Sequence, residues 1–556
     1  MPASASAFPV FSVSPAVVAA VPLVVLALFA ISGLVTVVRS VERIDRWNAL
    51  LLALLAAAIL CPSVEHAASL RVSPDSVEYA VSARNLLLHG SFSITLDGAA
   101  FPPRYPLGFP LFVIVPSLLL FGAGSLGAGV YGVALCAAIS VGVAYLTGVR
   151  LLSRSAGFVA AGLVLMLPAF VGSSQEVLST APAAAFSLVV LFCAVASRDA
   201  GLSRWLCAGL ALMLATACRP LSVLFALPAL CAWWREARAS KLGLAATLGP
   251  LLLWAALTGW HNAAVFGDPL RSGYNFWSPI PYDYPQLLFS LGYLVDNFEA
   301  LSKSGAAVIL PLAAVGVFMV WRSGGDGSRG LSAEVAALLA AVVTAAFHLL
   351  YFWPWELYFE PSAVVLAPVA AVAVVRFVQG CWEAVLHRLV MATVLLGVAC
   401  AWAASHRPSA READAYSQAQ ELSGVALAMS KEKPVLLVTG RNPAMVESMA
   451  GTRVLPISRR VEYASKLVAP SRVPLTDLRE ASPREHRTPA LAAGGAREAF
   501  VATVLDRPEI LERELASGSV VLVDARTLSP EEVNALRARF KTDDIATGIL
   551  RLGPQR

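Results

Sequence analysis

The chain has 556 residues, 57% of them hydrophobic and only 14% charged, with a mean hydropathy of +0.69. A soluble domain carries nearer ~25% charged residues, so a single water-soluble globule is excluded and a multi-span membrane protein with a polar tail is expected. The formal net charge of +5 adds little, because no Lys/Arg cluster interleaved with aromatics marks a nucleic-acid surface.

Apolar runs in chain order give about 12 candidate spans: Ser14–Val38, Trp47–Cys61, Ala128–Val149, Gly157–Val171, Ala181–Ala196, Trp205–Ala217, Leu221–Trp234, Leu242–Trp260, Gly305–Trp321, Val335–Phe352, Pro361–Phe377 and Leu389–Ala404. The first lacks a basic flank and is too long for a signal-peptide core, so it is expected to be retained. All eight cysteines lie in or beside these runs without metal-ligand spacing, which reads as packing residues. The run Leu107–Phe121 holds Pro110 and Pro116 and would reach only about 22 Å as a helix. It is expected along the outer leaflet rather than across the bilayer.

With that segment left out, the loops alternate. Arg39/Arg43/Arg46, Arg150/Arg154, Arg198/Arg204, Arg235/Arg238/Lys241, Arg322/Arg329 and Arg376/Arg388 occupy one set, while Gly122–Gly127, Gly172–Thr180 and Trp353–Glu360 contain no Lys or Arg. The positive-inside rule makes the first set cytoplasmic. The Asp75 loop, the Ala263–Ser304 loop, the tail after His406 and both termini are then expected outside, where cytosolic nucleotides are absent.

Between the first two spans and the third lies the polar insert Ser73-Pro74-Asp75-Ser76-Val77-Glu78-Tyr79, followed by Phe101-Pro-Pro-Arg104-Tyr105-Pro-Leu-Gly108. Asp75 and Glu78 are three apart and share a face if the segment is helical. A carboxylate in a partly desolvated pocket beside a membrane can serve as a general base towards a hydroxyl; ordinary solvated loop acids are the plainer reading. Glu176 sits at an outer mouth, and Arg219-Pro220 interrupts an apolar stretch, where a charge is costly unless a cavity accommodates it or it snorkels to the headgroups. The long outer loop carries Arg271, Tyr274 and Tyr282. A later turn reads Trp353-Pro-Trp-Glu356-Leu-Tyr358-Phe-Glu360-Pro361. Interfacial anchoring explains many such rings, and sugar rings and prenyl chains pack on the same surfaces.

Pro74-Asp75-Ser76-x-x-Tyr79, Arg104-Tyr105-Pro106-x-Gly108-x-Pro110, Glu176, Arg219-Pro220 and Glu356-x-Tyr358-x-x-Pro361 together resemble the GT-C membrane glycosyltransferases. The likeness is to the protein O-mannosyltransferase and lipid A aminoarabinose transferase branch, over roughly residues 40 to 405. The resemblance implies a polyprenyl-phosphate sugar donor, a lipid, glycan or protein acceptor, no nucleic acid, and a multi-pass protein of the bacterial inner membrane. No cofactor is implied, and a divalent metal stays open. Asp75 corresponds to the base for the acceptor, with Glu78 as its catalytic companion. Tyr79, Arg104, Tyr105, Glu176, Arg219, Arg271, Glu356 and Tyr358 are the implied substrate-binding set. Relatives often carry Arg-Tyr where this chain has Leu357-Tyr358, so the donor phosphate falls to another cation, Arg219 or Arg271.

The expected architecture is an α-helical polytopic membrane domain over residues 1–405, with juxtamembrane helices in the first outer loop at 62–127, and a small extracytoplasmic α/β domain at 406–556. In the latter, Pro434–Val438 and Val520–Val523 read as buried strands. Ser529-Pro530-Glu531-Glu532 reads as a capping box opening a helix to Phe540, and Pro470–Gly495 as a long loop. A transporter or lipid-handling protein on a similar bundle is the alternative; it would place paired charges near the bilayer midplane.

Overall fold

The computed structural model describes residues 11–62, 74–96, 99–123, 125–236, 241–277, 282, 285–323, 332–379, 392–393, 396–397, 410–439, 446, 449–451, 453–456 and 508–555. The protein is mostly helical, with a small sheet near the C-terminus. Most predicted spans coincide with a helix; Gly157–Val171 is divided between two helices, Leu221–Trp234 begins in a 3-10 stretch, and Leu389–Ala404 lies largely outside the described residues.

The bundle starts with α1 (Pro15–Ser40) and α2 (Arg43–Leu60), then the polar helix α3 (Pro74–His89). A short hairpin, β1 (Ile94–Leu96) and β2 (Ala99–Phe101), leads into the juxtamembrane segment. That segment is one π-helical turn, Pro110–Ile114, continued by α4 (Val115–Phe121). It does not lie with one face open along its length. Phe109, Ile114 and Val115 are wholly buried, and only Leu119, Leu120 and Phe121 at its end are exposed. The two prolines shorten it as expected, but it is packed into the protein.

There follow α5 (Gly129–Leu151), α6 (Arg154–Leu165), α7 (Pro168–Ser173), α8 (Thr180–Val195), α9 (Leu202–Cys218), α10 (Ala226–Glu236) and α11 (Lys241–Phe266). After the outer loop come α12 (Leu294–Lys303), α13 (Ala306–Ser323), α14 (Ala333–Leu349) and α15 (Glu360–Gln379). Among the described residues four helices are long and apolar enough to cross a membrane, and a fifth span is formed if α12 and α13, bent by 77°, count together. Local chemistry sets the breaks. Ser153 and Ser332 accept hydrogen bonds from Ala156 and Val335 and start α6 and α14. Pro168 ends the run that the apolar pattern joined into one span.

Small residues let the helices approach closely, as in other membrane bundles. A Cβ on Gly209 would lie 2.2 Å from the Ala246 carbonyl oxygen, and one on Gly316 equally close to that of Val369. The basic loops gather at one end. Arg39 donates to the Asp199 carbonyl, Arg150 to those of Ser40 and Val195, and Arg154 pairs with Asp45 at 2.8 Å. Arg204, near the start of α9, is buried, stacks over Trp205 at 4.3 Å and pairs with Glu236. Removing one partner of such a pair strands a buried charge. Glu236→Ala is expected to destabilise the protein by about 3 kcal/mol, seen as a lower thermal midpoint in detergent; an unchanged midpoint would show that the pair contributes nothing.

Near the C-terminus, α16 (Ala410–Ser430) precedes a five-stranded sheet of order β4-β3-β5-β7-β6. Its strands are β3 (Val435–Thr439), β4 (Arg453–Pro456), β5 (Val520–Asp524), β6 (Phe540–Ala546) and β7 (Ile549–Gln555). The central strands β3 and β5 pair in parallel and are buried throughout, matching their unbroken apolar sequence. Helix α16 packs on β3 and β5, α17 (Pro508–Ala516) packs on β5 and β7, and α18 (Pro530–Arg539) opens on the expected capping box between Ser529 and Glu532. The predicted loop Pro470–Gly495 lies outside the described residues.

Candidate active site

A cavity of about 1770 Å³ opens at the end of the bundle opposite the basic loops. The two ends are fixed by one helix, since α9 carries Arg204 near its start and Arg219 immediately after its last residue. Pro220 explains the second placement. It cannot continue the hydrogen-bonding pattern, and it forces Arg219 into extended backbone with φ −143°. The guanidinium thereby turns out of the helix and into the cavity wall.

Helix α3 supplies the other charged corner. Asp75 lies in its first turn and Glu78 one turn on, so both project to the same side. Arg104 closes the corner: its Nη2 is 3.3 Å from Asp75 Oδ1, and its Nε is 3.8 Å from Glu78 Oε2. The Arg104 backbone N–H also donates to Glu78 Oε1. Glu78 is only 2% exposed against 26% for the Asp75 side chain, so Glu78 holds the corner together while Asp75 faces the open space. Asp75 Oδ2 makes no hydrogen bond among the described residues.

Aromatic rings run from this corner to Arg219. Arg104 sits 4.5 Å over the Tyr105 ring, and Tyr105 packs on Tyr79 at 4.5 Å. Tyr79 donates to Ser179 at 3.3 Å. Burial pushes the Tyr79 and Tyr105 phenols well above their usual range, which keeps both as neutral hydroxyls. Tyr105 meets Tyr274, which stacks on Tyr282 at 4.9 Å. The Tyr282 hydroxyl is 3.2 Å from that of Tyr351. Tyr358 stacks on His348 at 4.7 Å and lies under Arg219 at 5.2 Å. Arg219 Nη2 donates to Thr180 at 3.0 Å, and Arg219 forms no ion pair among the described residues. Beyond the rings the walls turn apolar, through Val17 and Val21 of α1, Leu111, and Trp254 and Leu257 of α11.

Of the residues singled out in the sequence, Asp75, Tyr79, Arg104, Tyr105, Arg219 and Tyr358 line this one cavity, with Glu78 directly behind it. Glu176, Arg271 and Glu356 do not line it. The Asp268–Ser272 turn places Arg271 off the wall that its neighbours Leu270 and Ser272 form, and Glu356 lies within electrostatic reach of Lys303 instead. The sequence does not single out Ser179, Thr180, His348 or Tyr351, and marks Tyr274 and Tyr282 only as loop aromatics. Ser179 and Thr180 are small residues at the loop end that opens α8 and carry no charge to mark them, the apolar pattern of α14 hides His348, and spacing gives no means of telling an anchoring tyrosine from a cavity one. No group of three or more His, Cys, Asp or Glu among the described residues could hold a metal ion.

The described residues thus form a mostly helical multi-pass membrane bundle, with a charged and aromatic cavity at one end and a small helix–sheet unit near the C-terminus. Residues 106–257, about a quarter of the chain, match the family model of dolichyl-phosphate-mannose-protein mannosyltransferases. The fold is similar to that of ArnT from Cupriavidus metallidurans bound to undecaprenyl phosphate. That match has a TM-score of 0.56 and 15% identity, and covers 91% of this chain and 97% of that one. The apo form of the same protein matches with a TM-score of 0.55 and 13% identity over the same shares. No curated protein matches the sequence.

Proposed function

We propose that this protein is a glycosyltransferase that moves a sugar from a polyprenyl phosphate onto an acceptor hydroxyl at the extracytoplasmic face of the membrane. The observation that carries this reading is the cavity itself. A carboxylate with a free oxygen, Asp75, and a cation without an ion-pair partner among the described residues, Arg219, border one space whose remaining walls are aromatic and then apolar. A lipid-linked sugar phosphate needs all of these: a cation for the phosphate, rings and hydroxyls for the sugar, and apolar walls for the chain. The undecaprenyl phosphate bound by ArnT, and the mannosyl donor named in the family description, support the same donor class here.

The acceptor oxygen attacks the anomeric carbon as the carbon–oxygen bond to phosphate breaks, inverting the centre. Asp75 takes the hydroxyl proton, Arg104 holds Asp75 in place, and Arg219 keeps the departing lipid phosphate. The phosphate is already a good leaving group, so the protein supplies orientation and the base.

The test is a lipid extract from a deletion strain. Mass spectrometry should show a polyprenyl-phosphate sugar that accumulates without the protein and disappears on complementation; no such species, with no transfer by the purified protein, would overturn the reading. Orientation is checked separately. The basic end of the bundle is taken as cytoplasmic, so a reporter active only in the cytoplasm, fused after Arg556, should stay silent; a strong signal would place the cavity on the wrong side for a lipid-borne donor.

A further inference from the structure

Two glycines stand where the halves of the site touch. Gly273 is buried at the end of the Asp268–Ser272 turn, against the backbone of the juxtamembrane segment. A Cβ there would meet Arg104 Cα and the Pro103 carbonyl oxygen, each at 2.4 Å, and the Arg104 carbonyl oxygen at 2.7 Å. Four residues after Arg104, Gly108 lies against α9. Its Cβ would meet Ala217 O, Cβ and C at 2.4, 2.5 and 2.6 Å, two residues before Arg219. Most of these atoms are backbone, so no side chain can swing away. A methyl at either position would sit about 1 Å inside van der Waals contact.

The stretch from Arg104 to Gly108 is thus a short bar gripped at both ends. At one end the Gly273 loop presses on Arg104, whose backbone N–H and guanidinium hold Glu78 and Asp75. The same loop sets the Tyr274 ring against Tyr105. At the other end Gly108 sets the last turn of α9, which aims Arg219. We infer that Gly273 and Gly108 are positioning residues, Gly273 fixing Arg104 against Asp75 and Gly108 fixing Arg219, so that the bar between them sets the distance from base to phosphate cation.

This inference rests on the proposed glycosyl transfer, and its consequence is a split between the two variants. Gly273→Ala pushes Arg104 off Asp75 and leaves Arg219 in place. A displacement of about 1 Å at a reacting group costs on the order of 100-fold in rate, so kcat should fall about that far while the Kd for polyprenyl phosphate stays within about twofold. Gly108→Ala displaces Ala217 and Arg219, so that Kd should rise about 10-fold or more, with a smaller loss of kcat at saturating donor. Gly172→Ala is the control, because nothing lies within 4 Å of a Cβ there.

The experiment measures binding of undecaprenyl phosphate and single-donor turnover for the three purified variants in detergent. Binding stoichiometry from the same titration separates a slower enzyme from a smaller active fraction, which a purely structural role would produce. The split described supports the inference. Equal effects of both variants on Kd and kcat, wild-type behaviour of Gly273→Ala, or failure of both variants to fold would overturn it. A wild-type protein that neither binds undecaprenyl phosphate nor transfers a sugar would instead overturn the proposed function.

Discussion

Asp75→Asn is expected to abolish sugar transfer while leaving expression near normal and polyprenyl-phosphate binding intact. Asparagine keeps the size of the side chain and still accepts from Arg104, which is 3.3 Å from Oδ1. What it loses is the ability to take a proton from the acceptor through the second oxygen. General-base help of this kind is worth ~100- to 10,000-fold in rate, and the loss should fall in kcat, because the cation proposed for the phosphate is Arg219. Glu78→Gln is expected to do less to the chemical step. Its carboxylate is 2% exposed and accepts from the Arg104 backbone, an arrangement an amide oxygen can retain in part. Turnover assays on both variants with one donor preparation separate the roles, and wild-type turnover in Asp75→Asn would remove the base from the mechanism.

The second large effect is expected at Arg219. Removing a desolvated charge that pairs with an anionic ligand costs about 2–5 kcal/mol of binding, or roughly 30-fold to more than 1,000-fold in Kd. Arg219→Ala should therefore weaken undecaprenyl-phosphate binding by at least about 30-fold. Arg219 is half-buried in the cavity wall, and its one side-chain hydrogen bond among the described residues is to Thr180, so the fold should survive. Arg271→Ala should leave affinity unchanged, because Arg271 does not line the cavity. Isothermal titration of the two variants decides between them; equal loss in both, or none in either, would put the phosphate elsewhere.

Much of the helical framework is readable in the sequence because apolar runs leave few alternatives in lipid. The two parallel strands and the Ser529–Glu532 cap are readable for equally local reasons. Apart from the positions that the resemblance marks, the site is readable where a residue violates its surroundings. Arg219 beside Pro220, inside an apolar stretch, is such a violation, and it comes to the cavity; the Asp75–Glu78 pair stands out only by its spacing and its resemblance, and Asp75 lines the cavity with Glu78 behind it. Glu176, Arg271 and Glu356 stand in loops and turns where a charge is ordinary, and the sequence offers no sign that they miss the wall. The opposite failure affects Thr180, an uncharged residue where a loop opens α8, and His348, whose helix α14 looks like an ordinary membrane segment. What joins them to the site is the meeting of helices far apart in the chain: Thr180 with Arg219, and His348 with Tyr358. Glycine contacts such as Gly273 against Arg104 are invisible to composition or periodicity, since they depend on which backbone lies opposite.

The π-turn at Pro110–Ile114 bears on how this protein is compared with others. Its closing bond runs from the Val115 N–H to the Pro110 carbonyl, one residue longer than an α-turn requires. Such a turn is the form a single inserted residue takes when a helix absorbs it without breaking. A pairwise alignment with a relative that lacks the extra residue should open a one-position gap here. Aligned without it, everything on one side of the turn slips by one place, and Arg104 and Tyr105 would be matched to their neighbours' counterparts. In an alignment with such a relative the gap would fall between residues 110 and 114.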